Sequence, residues 1–223
     1  MQLTIDLASF ANLSTSVFSI TIAVFLISVW VRQKNHLYTD LPLLFGVMFM
    51  AQALNSIVRT LPTLGIIEAS LLLFRLRTLV ILAVVFPLAL VVLHIWLPRI
   101  RDKYSRVLGV LAAYWIVVTT LAPSEDLIML LCIPILLVLD LAMIVTFSIT
   151  WKTGRLKEVR SSLMVLAFLL GFVSQLFTSM VILDNVLLAM ATGIMTVAII
   201  NPWFRRTYPA SAKLVDAPTS SAI

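Results

Sequence analysis

The sequence predicts an all-α integral membrane protein: a seven-transmembrane-helix bundle with its N-terminus outside and its C-terminus cytoplasmic. Three observations predict it. Apolar residues make up 61% of the 223 and charged residues 12%, with a mean hydropathy of +1.10, whereas soluble domains run at roughly 45–50% apolar and 25% charged. Seven segments are long and apolar enough to cross the ~30 Å hydrocarbon core, which needs about 20 residues of helix. The basic residues, finally, gather in alternate connections, and Lys and Arg collect in cytoplasmic loops.

The first segment, 10–31, follows "MQLTIDLASF", which carries an acid and neither Lys nor Arg. It therefore lacks the basic start of a secretory signal and is expected to stay attached to the mature chain. The second, 41–61, ends at the turn-forming "TLPTLG", and the third, 69–97, at Pro98. The fourth, 107–122, is the shortest, and extends back through "RIRDKYSR", whose long side chains can snorkel to headgroups. "APSED" separates it from the fifth, 127–151, and "KTGRLK" separates that from the sixth, 161–180. The seventh spans 185–204. All the connections are short, so the expected organisation is one transmembrane domain over 1–206. Residues 207–223 are a short cytoplasmic tail of small polar residues, expected to be disordered.

Orientation comes from charge. Arg32 and Lys34 follow the first segment; Arg99, Arg101, Lys103 and Arg106 the third; Lys152, Arg155, Lys157 and Arg160 the fifth; Arg205, Arg206 and Lys213 the seventh, which places all but three of the 16 basic residues on one side. The other side holds Asp6, Glu68, Glu125, Asp126 and Asp184. Trp30, Trp96, Trp151 and Trp203 fall at the basic ends of their segments, as an interfacial belt does. The formal charge of +6 thus reports topology in a cell membrane and some attraction to anionic lipid, not a nucleic-acid partner.

Arg59, Arg75 and Arg77 are the three left over, and each lies within a predicted span. Arg75 and Arg77 sit roughly 8 to 10 Å outside the middle of the third segment at 1.5 Å per residue. A charge at that depth costs at least ~2.5 kcal/mol on insertion scales, so it needs a partner, a cavity or a reach to the interface. Glu68, seven residues before Arg75, is a candidate partner for Arg75 or Arg59. Gln52, Asn55, Ser56 and Arg59 fall at i, i+3, i+4 and i+7 and make one polar stripe on the second helix. Gly171, Ser174, Gln175 and Thr178 repeat the arrangement on the sixth. Asp140 lies almost at mid-membrane in the fifth segment with no base beside it in sequence, and either takes up a proton or finds Arg75 or Arg77. The candidate intramembrane polar cluster is therefore Gln52, Asn55, Arg59, Glu68, Arg75, Arg77, Asp140 and Gln175. The competing reading of the two stripes is packing, since Ser, Asn and Gln hydrogen bonds join transmembrane helices. Asn185, Ala189, Thr192, Gly193 and Thr196 read as a packing seam on the seventh helix, and Pro87 and Pro134 as kinks in the third and fifth.

Other chemistry has little support. One cysteine, Cys132, excludes an internal disulfide and a multi-cysteine metal site. His36 and His94 lie near the basic face, but His36 is in a loop, which suits a bundle haem poorly. There is no GxSxG, HExxH, Walker or dinucleotide glycine pattern, so no enzyme and no cofactor or metal is expected. The seventh segment contains no lysine to hold a retinal.

"VRQKNHLYTDLPLLFGVMFMAQALNSIV" followed by "FRLRTLVILAVVFPLALVVLHIW" resembles the seven-helix membrane sensor region that precedes the kinase core of some histidine kinases. In that family the third helix likewise begins with an arginine-containing stretch and runs on through a proline-bearing apolar segment. The likeness covers about residues 30–122; the dimerisation helix and ATP-binding domain of that family are not in this chain. The resemblance implies a receptor-like sensor without a catalytic domain. It would respond to a small-molecule or lipid ligand in the bilayer and signal to a separate protein partner through basic cytoplasmic loops. Two other functions suit the same residues: a small transporter or channel using an Asp/Arg site, and a structural subunit of a larger membrane complex.

Overall fold

The computed structural model describes residues 7–33, 37, 39–154, 159–177 and 180–202. Among these the protein is all-helical: α1 (Leu7–Val31), α2 (Leu41–Thr60), α3 (Leu71–Trp96), α4 (Tyr104–Leu121), α5 (Glu125–Thr153), α6 (Ser161–Leu176) and α7 (Val181–Ile200). Six of them, α4 counted with the basic turn before it, are long and apolar enough to cross a membrane. The sixth segment in sequence is the exception. It gives a helix of 16 residues, about 24 Å at 1.5 Å per residue.

Local chemistry sets the helix ends. Ser70 Oγ accepts from Leu73 N at the start of α3, and Ser124 Oγ from Leu127 N at the start of α5, each satisfying an amide that has no carbonyl partner within its helix. Glu125 and Asp126 occupy the first turn of α5, where the helix dipole favours negative charge. Gly154 closes α5 in the left-handed conformation, φ 61°, which glycine adopts without steric cost. A 3-10 turn, Pro98–Lys103, joins α3 to α4. It is held by Tyr104, whose hydroxyl is within 2.8 and 2.9 Å of the Leu93 and Leu97 carbonyls. Pro87 and Pro134 lie inside α3 and α5 without ending either helix.

Packing arranges six of the seven helices in a closed ring, α1–α2–α3–α5–α6–α7 and back to α1, while α4 lies outside it against α3 and α5. α1 and α2 approach closely at Gly46. A Cβ on Gly46 would stand 2.8 Å from Ile27 Cγ1 and 3.3 Å from the Ala23 carbonyl oxygen. One hydrophobic core fills the half of the ring nearer the basic connections, with Phe45, Phe147 and Phe168 as its aromatic centre. A second one, Val85, Trp115, Ala122, Ile128 and Cys132, seals α4 to α3 and α5. Trp115 is fully buried there and donates Nε1 to the Thr78 carbonyl at 2.8 Å. Large apolar side chains such as Val110, Leu121, Leu130 and Val138 point outward, as lipid-facing residues do.

Helix boundaries shift by up to four residues from the sequence expectation, most of all at α6 and α7, where α7 also ends at Ile200 rather than 204. α6 ends at Leu176 rather than 180, and α7 starts at Val181 rather than 185. Between the two helices Met180 N bonds the Phe177 carbonyl at 2.8 Å. Asp184, expected in a loop, therefore occupies the first turn of α7 and is buried. Trp30, Trp96 and Trp151 stand at the basic ends of α1, α3 and α5. His36, Thr178, Trp203 and the tail 207–223 lie outside the described residues, as do Asp6, Lys34, Arg155, Lys157 and Arg205, Arg206 and Lys213.

Candidate functional site

The ring encloses a cavity of about 360 Å³ lined by α1, α2, α3, α5, α6 and α7, and α4 contributes nothing to it. That volume falls in the ~300–1,000 Å³ range of small-molecule sites. Its floor, toward the basic end, is apolar: Met48, Phe49, Leu88, Phe168 and Met195. Asn12, Asn55, Ser56, Arg59, Asp184 and Asn185 surround it toward the opposite end.

The two stripes read from helix periodicity converge here, since Gln52, Asn55, Ser56 and Arg59 of α2 face Gly171, Ser174 and Gln175 of α6 across the space. Asp140 of α5 is 9% exposed and lines the same cavity. Gln175 Nε2 donates to Asp140 Oδ2 at 2.8 Å. α6 ends one residue beyond Gln175, an exposed residue whose amide still reaches the carboxylate.

Asp140 does not pair with Arg75 or Arg77, as the sequence suggested it could. Among the described residues its carboxylate has no Lys or Arg within 4.0 Å, and the ion pair present joins Arg59 to Asp184. The reason is depth. The 2.7 Å bond from Trp96 Nε1 to Thr146 Oγ1 sets the register of α3 against α5 and puts Asp140 near the level of Leu90, about 15 to 20 Å along α3 from Arg77 at 1.5 Å per residue. Neither side chain spans that distance.

Each arginine finds a nearer acceptor. Arg75 turns away from the cavity and donates Nη2 to the Ala122 carbonyl at the end of α4, at 2.9 Å. Its Nε, like the buried hydroxyl of Thr119, has no hydrogen-bond partner among the described residues. Arg77 donates Nε to Asn55 Oδ1 at 3.3 Å and lies 5.7 Å from the Phe74 ring centroid, so it touches the cavity only through Asn55. Arg59 pairs with Asp184 at 3.7 Å. Glu68, expected beside Arg75 or Arg59, is exposed in the α2–α3 connection and forms no ion pair among the described residues. Its surroundings are solvent-accessible, so it needs none.

Three lining residues escaped the sequence reading. Asn12 Oδ1 accepts from Asn185 Nδ2 at 2.7 Å, bridging α1 to α7, and Ser56 Oγ is 3.5 Å from the Asn12 carbonyl. The signal was present in α1: Ser9, Asn12, Ser16 and Ser19 are spaced by three and four residues and all are buried. Asp184 and Asn185 were assigned to a loop and to a packing seam. With Thr192 they form the α7 wall. Among the described residues no three His, Cys, Asp or Glu side chains gather to hold a metal ion.

Compared with protein-family profiles, curated proteins and solved structures, the chain matches none.

Proposed function

We propose that the protein is a receptor-like sensor of the cell membrane, non-enzymatic, oriented with its N-terminus outside and all seven helices within the bilayer. The observation that carries this reading is the polar cavity, built from six helices and holding a buried carboxylate without a cationic partner among the described residues. A ligand seated there touches α2, α5, α6 and α7 at once and biases how they pack. The change would reach the basic ends of those helices, where Thr150 of α5 bonds Ser161 of α6 at 3.2 Å and Arg160 N bonds the Ala198 carbonyl of α7 at 3.0 Å. The loops beside them, rich in Lys and Arg, are the surface offered to a protein partner. Orientation rests on the positive-inside rule.

Gly171 supplies the test. It lines the cavity, and a Cβ added to it meets nothing within 4 Å, so Gly171→Leu adds bulk to the site from an uncrowded backbone position. Native mass spectrometry of the chain extracted from its own membrane should find a small molecule on the wild type that is lost from the variant. A wild-type chain that carries no such molecule, but only a fixed set of partner subunits, would show the cavity to be structural.

A transport reading draws on Asp140, because transport sites commonly place a carboxylate near the bilayer midplane. An ion or proton flux into proteoliposomes that vanishes in Asp140→Asn would replace the sensor reading.

A further inference from the structure

Resting on the cavity as a ligand site, we infer that its ligand is a small amphiphile bearing a protonated amine, with Asp140 as its counter-ion and the aromatic wall of the cavity around its apolar body.

Charge balance points this way. Arg59, Asp140 and Asp184 are the ionisable side chains that line the cavity. Arg59 and Asp184 are paired at 3.7 Å, which leaves the charge of Asp140 uncompensated within the lining. A buried charge left unpaired is costly, and a ligand that supplies its partner gains the interaction the protein itself does not provide. An anionic ligand would add to the imbalance. Arg77, the nearest further cation in the fold of α2 and α3, is engaged by Asn55 and lies far along α3 from Asp140.

Donor and acceptor geometry agrees. Gln175 Nε2 occupies Asp140 Oδ2, and Oδ1 has no donor among the described residues. An ammonium group carries only donors, so it suits Oδ1, and it can also donate to the side-chain oxygens of Gln52 or Ser174 on the same walls. Phe49, Phe168 and Phe172 line the cavity as well. Their ring faces attract a cation and their bodies exclude water from an apolar chain. At about 360 Å³ the space suits a monoamine of modest size rather than a peptide or a two-chain lipid.

Three probes that share one body separate the possibilities: phenylbutylammonium, phenylbutanol and phenylbutanoate. Calorimetric titration into the full chain in lipid nanodiscs at neutral pH measures each, and cavity binding is the part lost in Gly171→Leu. The expected result is an ammonium affinity at least about tenfold above the alcohol, with the carboxylate weakest. Asp140→Asn, which can still accept the Gln175 bond, should bring the ammonium down to the alcohol, and Asp140→Glu should retain the preference. Alcohol or carboxylate binding as tightly as ammonium would overturn the inference while leaving the cavity reading standing. So would an ammonium preference that survives Asp140→Asn. If no probe shows binding sensitive to Gly171→Leu, the cavity reading falls, and this inference with it. Should Asp140→Asn fail to fold, the ranking of the three probes on the wild type still decides.

Discussion

Gly171→Leu separates stability from binding, because it fills a space that the folded chain leaves open. Nothing lies within 4 Å of the position its Cβ would take, and the cavity around it measures about 360 Å³. Four added carbons, each given a share similar to the ~30 Å³ of a water molecule, take up about 100 to 120 Å³, near a third of the space. Fully burying a leucine contributes about 1.5–3 kcal/mol relative to leaving it exposed. Part of that is offset where the new side chain displaces water from Ser174 or Gln52, so the expected net gain is about 1–2 kcal/mol. At roughly 2–4 °C per kcal/mol for a chain of this size, Tm should rise by about 2–8 °C. Phenylbutylammonium affinity should fall by at least about tenfold, equivalent to about 1.4 kcal/mol. Scanning fluorimetry in nanodiscs reads the first quantity and calorimetric titration the second. A lower Tm would mean that the space is closed in the folded protein, and affinity within about twofold of wild type would mean that the probe binds elsewhere; either result would refute the reasoning.

Other substitutions test the surrounding framework. Gly46→Leu should lower stability by about 1–3 kcal/mol, since its Cβ alone would crowd Ile27 Cγ1 at 2.8 Å and the Ala23 carbonyl at 3.3 Å; an unchanged Tm would show that α1 and α2 can separate freely. Arg75→Met removes a charged hydrogen bond to Ala122 O, worth about 1.5–3 kcal/mol less what is recovered by removing the unpartnered Nε. Its Tm should drop while phenylbutylammonium affinity stays at the wild-type value, and a loss of affinity would place Arg75 in the site after all. Trp115→Phe leaves the Thr78 carbonyl without the indole donor, and thermal scanning should register a loss of about 1–3 kcal/mol as α4 loosens from α3. A double-mutant cycle on Arg59→Gln and Asp184→Asn should return a coupling of less than about 1 kcal/mol, because Arg59 is 36% exposed and the pair is 3.7 Å apart.

Periodicity and hydropathy made much of this protein legible without coordinates. Apolar runs of about 20 residues have few alternatives to the helix in a bilayer, because a helix satisfies its own backbone hydrogen bonds. Spacing alone placed Gln52, Asn55, Ser56 and Arg59 on one face of α2, and they do share one. Gln175 was read as part of a matching stripe on the sixth helix and Asp140 as a carboxylate near mid-membrane, and both line the cavity. Composition and short-range spacing determine such properties, because they depend on rise per residue and on the cost of polar groups in hydrocarbon.

Partners across helices were decided only by the tertiary structure. Nothing local says that α4 stands outside the ring, which sends Arg75 to the Ala122 carbonyl and not into the interior. Nothing local sets the register of α3 against α5, which separates Asp140 from both arginines of α3. The start of α7 at Val181 depends on how α6 meets α7, and it carries Asp184 into a helix opposite Arg59. Helix identity is written in intervals of three and four residues along the chain. Which faces meet, and at what depth, depends on side-chain volumes such as the missing Cβ of Gly46, summed over neighbours remote in sequence.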